Sequence, residues 1–227
     1  MSIISAELYE TAKGMYTELP YHNFDYHVET VLHECRVYAD YCEQNGLSVN
    51  RRVLFAAGLL HDAGYHEDMS HRFSSKEQYS SYIADRVLPW YGYDPNEIDE
   101  VMAAVNGTQR GSICTTLEAK ILRRADLRNV TSSVHGFLVS SFRVASELLI
   151  TKNIRVVWPE FCESTREVFQ DYFDEDLSFG DFDNERWLLE KTTAVKNIAC
   201  LARESYDSLR TIGEATLNKL FSNDQLD

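Results

Sequence analysis

The sequence predicts an all-α fold. Apolar residues recur at spacings of three and four along most of the chain, the repeat of a helix with one buried face. Short polar residues stand in front of those runs, where helices take their caps. Strand-type alternation is confined to brief runs such as Ile154 to Trp158.

In order, residues 5 to 18 read as a short amphipathic helix. Residues 24 to 44 carry Val28, Val31, Leu32, Cys35, Tyr38 and Cys42 on one stripe, and Asn45-Gly46 is a good terminator. Ser48 is placed to cap the next helix, which turns Val53, Ala56, Ala57 and Leu60 inward and ends at His61-Asp62. Three capping boxes follow: Ser74 to Glu77, Asp94 to Glu97 with Pro95 at the first helical position, and Thr115 to Glu118. Later helices are expected at about 132 to 151, 159 to 173 and 184 to 220, the last broken near Gly213. Residues 174 to 183 look like an acidic loop. No repeat or Pro/Gly-rich linker divides the chain. The expectation is a single all-α domain over residues 1 to 227, with a core at about 20 to 130 and a helical extension from about 131.

The balance of 22 Lys and Arg against 36 Asp and Glu gives a formal net charge of -14. Such a surface argues against duplex nucleic acid as a partner, which requires dense cationic contacts to phosphates. It leaves room for a small anionic substrate, because a bound metal reverses the field inside a pocket. Cysteines 35, 42, 114, 162 and 200 form no CxxC, and Cys35 and Cys42 lie one heptad apart on an apolar stripe, so both read as core thiols. The N-terminus has no cationic stretch leading into an apolar run, and no run is long enough to span a membrane. The expectation is a cytoplasmic protein with no membrane partner.

The chemistry-bearing candidates converge on His61-Asp62. Alone the pair says little, since a histidine suits the negative end of a helix dipole. Two further stretches supply matching donors: His27, in the first turn of the second helix, and Asp126, at the end of an apolar one. Two imidazoles and two carboxylates suit Mn, Fe, Co, Ni or Zn, with Mg a poorer match. Four protein donors on a cation that accepts six leave positions for water and a substrate oxygen, as hydrolysis requires.

The order His27, then His61-Asp62, then Asp126, with the doublet closing a helix that reads AAGLLHDAGY, resembles the HD-domain superfamily of metal-dependent phosphohydrolases. Tyr21-His22-Asn23 resembles a string of many bacterial HD proteins and of the cyclic-nucleotide phosphodiesterases, while SSKEQYSSYIA with Glu77 and Ser80, VNGTQ around Thr108 and RADL around Asp126 resemble strings of a subgroup of small predicted HD hydrolases. The resemblance covers roughly residues 20 to 130. It implies a helical bundle in which His27, His61, Asp62 and Asp126 hold a divalent metal. The gap between Tyr21-His22 and the first ligand is one residue longer than the family's, which puts Tyr26 where histidine is expected. A one-residue shift keeps His27 as ligand, with His22 as the alternative. Dinuclear members carry two more histidines between the doublet and the last aspartate. Here His66 and His71 come too soon, so one metal per chain is expected.

The resemblance implies a phosphohydrolase acting on a nucleotide or another small phosphoester. Asp62 would orient the attacking water and His22 would protonate the leaving oxygen. The candidates to contact substrate are Arg72, Glu77, Arg110 and Arg124, with Arg123 close in sequence. Glu77 has a competing role as a cap, and His66 and His71 read mainly as loop residues beside Glu67-Asp68. His33 lies about 240° around the helix from His27, on another face. His135, Trp90, Trp158 and Trp187 read as packing residues. The rivals are an HD-type iron oxygenase and a non-catalytic HD scaffold or ligand sensor, for which the acidic, aromatic-rich C-terminal helices offer a homodimer or partner surface.

Overall fold

The computed structural model describes residues 5–66, 72–153, 156–205 and 207–211. The described residues are helical with no strand. They form two compact units, the first made of the described residues up to 128 with 175–185, the second of those in 129–174 with those from 186 to 211.

The first unit contains α1 (Ala6–Lys13), α2 (Glu29–Gln44), α3 (Arg51–Leu60), α4 (Lys76–Val87), α5 (Pro95–Asn106) and α6 (Leu117–Asp126). At its centre is α3, whose residues from Val53 to Leu60 are all buried. A helix apolar all round has to be enclosed by its neighbours, and α2, α5 and α6 all pack against it. Cys35 and Cys42 are buried in this core, as their spacing predicts. Two short helical turns connect the elements that matter most here: a π-helical turn, Phe24–Val28, runs into α2, and a 3-10 turn, Ala63–His66, follows α3.

The helix starts differ in detail from the sequence reading. Asn50, not Ser48, caps α3, its side chain accepting from the Val53 amide. The Asp94–Glu97 capping box forms as expected. The other two boxes do not, because each helix begins one residue later. Ser75 caps α4 by accepting from Gln78, and Thr116 caps α6 by accepting from Ala119. Glu77 is thereby released from capping and lies on the buried face of α4. Glu118 accepts from the Asn50 amide instead.

The second unit contains α7 (Val134–Lys152), α8 (Trp158–Asp174) and α9 (Asn184–Leu201). Its interior includes Phe137, Phe173, Trp187 and Ala194. The Asn197 amide donates to the carbonyls of Val130 and Ser132, which ties α9 to the turn before α7. The last expected helix ends at Leu201, well before Gly213, which lies outside the described residues, as do Ile154, His71 and the Glu67-Asp68 pair. Residues 175–185, which include most of the acidic loop read at 174 to 183, pack into the first unit, with Leu177, Phe179 and Asp183 buried.

Candidate metal centre

His61 is the residue at which α3 ends. Its Nδ1 lies 2.8 Å from the Gly58 carbonyl. A carbonyl only accepts, so Nδ1 carries the proton and Nε2 presents a lone pair. That lone pair faces His27 Nε2 at 3.2 Å and the carboxylates of Asp62 and Asp126 at 3.4 and 3.8 Å. His27 Nε2 in turn lies 3.1 Å from Asp62 Oδ2 and 3.1 Å from Asp126 Oδ1. Donors of His27, His61 and Asp126 all fall within 4.8 Å of one another, and Asp62 joins them through Oδ2.

The π-helical turn explains how His27 reaches this point. Asn23 caps it, accepting from the Tyr26 amide, and its own carbonyl accepts from both His27 and Val28. A π-turn absorbs one extra residue into a helix. His27, within this turn, is buried at the centre.

These donors fit a divalent cation. Ligands held at about 2.1 Å stand roughly 3.0–3.4 Å apart, for octahedral to tetrahedral angles, which is the separation seen among most of these atoms. Two nitrogens and two carboxylate oxygens suit Mn, Fe, Co, Ni or Zn. The His27 Nδ1 is buried and has no hydrogen-bond partner among the described residues, so the polar contacts of that ring are all made on its Nε2 side.

The electrostatics follow from the crowding. Burial favours a neutral His27, but hydrogen bonds to Asp126 and Asp62, and then their charges, outweigh it and push its pKa up to about 9. Burial likewise raises the pKa of Asp62. The opposing charge of Lys76, joined by the histidines when they are protonated, prevails and holds it well below the usual carboxylate range. Asp126 is lowered too, against burial, chiefly by its hydrogen bond with His27.

His22 is close by, with Nε2 4.0 Å from Asp62 Oδ2, and its ring stacks on Tyr65 at 3.9 Å. Arg124 points elsewhere: it is buried against Asp183, between the rings of Tyr38 and Phe179. Arg123 donates to the carbonyls of Gly107, Gln109 and Ser112 and pairs with Glu175. Arg72 and Arg110 are exposed. The sequence reading missed Lys76, the first residue of α4, whose Nζ lies 3.3 Å from Asp62 Oδ1 and 4.6 Å from the centre of the Tyr65 ring. Its position beside Glu77 in SSKEQ was the available signal, but a lysine at a helix start reads as solvated.

Residues 24–128 match the family model described as HD domain. That segment, just under half of the chain, is similar to an HD domain. All four convergent donors lie within the matched segment. Among solved structures, the phosphodiesterase domain of the RhoPDE fusion protein from the choanoflagellate Salpingoeca rosetta shares the fold, with a TM-score of 0.57 and 13% identity over 95% of this chain and 86% of that one. None of the curated proteins compared matches the chain. No helix among the described residues is long and apolar enough to cross a membrane.

Proposed function

We propose that this chain is a metal-dependent phosphohydrolase whose substrate is a nucleotide or another small phosphoester. The observation that carries the reading is the convergence of His27, His61, Asp62 and Asp126, with the His61 lone pair fixed inward by the Gly58 carbonyl. The HD domain match and the phosphodiesterase domain of shared fold support it. One divalent ion per chain, of Mn, Mg, Fe, Co, Ni or Zn, would be held by these four side chains. When bound, it lowers the pKa of a water it holds and polarises a phosphoryl oxygen.

The chain's own residues do the rest. Asp62 Oδ2 faces the imidazoles and Oδ1 faces Lys76, so its plane is fixed from both sides and it can orient the attacking water. As the water oxygen bonds to phosphorus, the bond to the leaving oxygen breaks. His22, half-buried and braced by Tyr65, is placed to give that oxygen its proton. Glu77, Arg72 and Arg110 remain candidates to contact the rest of the substrate.

The test is elemental analysis of the purified protein and of its His61→Ala and Asp126→Ala variants, each after incubation with added metal. The wild type is expected to hold about one transition metal per chain, and both variants to lose it. A screen of phosphomonoesters, nucleotides and phosphodiesters with Mn, Mg, Co and Ni then defines the substrate. Two irons per chain would move the assignment to an HD-type oxygenase. Full hydrolytic activity in both variants would sink the reading, and failure to bind any metal would favour a scaffold.

A further inference from the structure

The proposed centre has a charge problem that points to Lys76. A divalent cation is balanced by Asp62 and Asp126, so a phosphoryl group approaching it meets a site of no net charge. Binding an anion there requires another cation. Arg123 and Arg124 are committed to carbonyls and to Glu175 and Asp183, and both are buried. Lys76 stands one carboxylate away from the centre, its Nζ 3.3 Å from Asp62 Oδ1 while Oδ2 of the same group is 3.1 Å from His27 Nε2.

We propose that the Lys76 ammonium binds the phosphoryl oxygens of the substrate beside the metal; this rests on the phosphohydrolase reading above. Three features support that role over a purely structural one. An ammonium has three donors, and among the described residues Asp62 is the hydrogen-bond partner of Lys76, with the Tyr65 ring on a second side. The side chain keeps 38% of its surface exposed, so an incoming oxygen can reach it. Its backbone is held firmly: the Gly64 amide donates to Ser80 Oγ at 2.9 Å, and α4 sits so close that a Cβ on Gly64 would fall 2.6 Å from the Lys76 carbonyl oxygen. A lysine acts as a movable point charge and can turn from Asp62 toward a phosphoryl oxygen without a backbone change.

The probe is inorganic phosphate, titrated calorimetrically into the full chain loaded with manganese and freed of excess metal. Wild type, Lys76→Met and Lys76→Arg are compared, with manganese content measured on each sample. The expected result is unchanged metal content in all three, a loss of phosphate affinity of about tenfold or more in Lys76→Met, and partial recovery in Lys76→Arg. Equal phosphate affinity in wild type and Lys76→Met overturns the proposal, as does a metal-loaded wild type that binds no phosphate. Metal loss in both variants also overturns it, because Lys76 would then only position Asp62. Failure of the metal site itself is read separately, from the metal content of wild type against His61→Ala before any phosphate is added.

Discussion

At the scale of the residue, the centre is governed by where protons sit on two rings. The Gly58 carbonyl fixes the tautomer of His61, which leaves its Nε2 ready to bind. Among the described residues His27 makes no such contact at Nδ1 and instead shares its Nε2 side with two carboxylates, which raises its pKa to about 9. A metal competes for that same nitrogen, so below pH 9 its binding must displace a proton. Metal affinity is therefore expected to fall by about tenfold per pH unit as pH drops from 9 toward 6. Without metal the sign for stability is opposite. A raised histidine pKa stabilises the fold fully below the unfolded value, near 6.5, and this contribution is lost as pH rises through 9. Thermal melts with and without metal at pH 6 and pH 9.5 check both parts. Metal should raise the melting temperature more at pH 9.5, and the metal-free protein should be the more stable at pH 6. Equal metal-induced shifts would place the His27 proton elsewhere.

At the scale of the element, the centre depends on how closely α4 docks on the turn after His61-Asp62. Gly64 is the contact point: besides the Lys76 carbonyl, an added Cβ would lie 2.7 Å from the Ser80 amide. Both neighbours are backbone and cannot swing aside. Gly64→Ala should therefore cost about 1–3 kcal/mol, the range for overpacking, and should disturb Lys76 and Asp62 together. Urea unfolding reads the first effect and metal content the second. A variant as stable as wild type would mean that α4 shifts freely. Much of this was legible in sequence. The helical periodicity and the Asp94–Glu97 box could be read from spacing, and the four donors from their residue types and from the family that their order resembles. The displaced caps could not, because Ser74-Ser75 and Thr115-Thr116 each offer two equivalent hydroxyls, and packing chooses between them. The π-turn under His27 was not legible, because the apolar spacing over 24 to 44 reads as one continuous helix. Lys76 was hidden because its partner, Asp62, is fourteen positions away across a turn.

At the scale of the whole chain, the least legible feature is that residues 175–185 belong to the unit that carries the four convergent donors. The acidic composition of residues 174 to 183 reads as a loop, and nothing in its spacing points back to the first unit. The contacts made by α6 account for its return. Arg124 and Asp183 form a buried ion pair, the Phe179 ring lies 4.6 Å from the Arg124 guanidinium, and Lys120 donates to the Ser178 carbonyl. Arg123 meets Glu175 at 2.6 Å. These residues lie on the helix that ends in Asp126, so the returning segment braces a proposed metal ligand from behind. Breaking one partner of a buried pair leaves the other charge uncompensated and costs about 3–5 kcal/mol. Asp183→Asn should therefore lower the melting temperature by roughly 10 °C, although Asp183 is far from His61 in sequence and contributes no donor to the centre. Replacing both partners with apolar residues, as in Arg124→Met with Asp183→Leu, should recover most of that loss, because no charge is then left buried alone. A chain cut after residue 130 keeps every proposed ligand but strands Arg123 and Arg124 together, so it should fold poorly and bind metal weakly. If the cut chain melts and binds metal like the full one, the segment merely covers α6 and does not hold it in place.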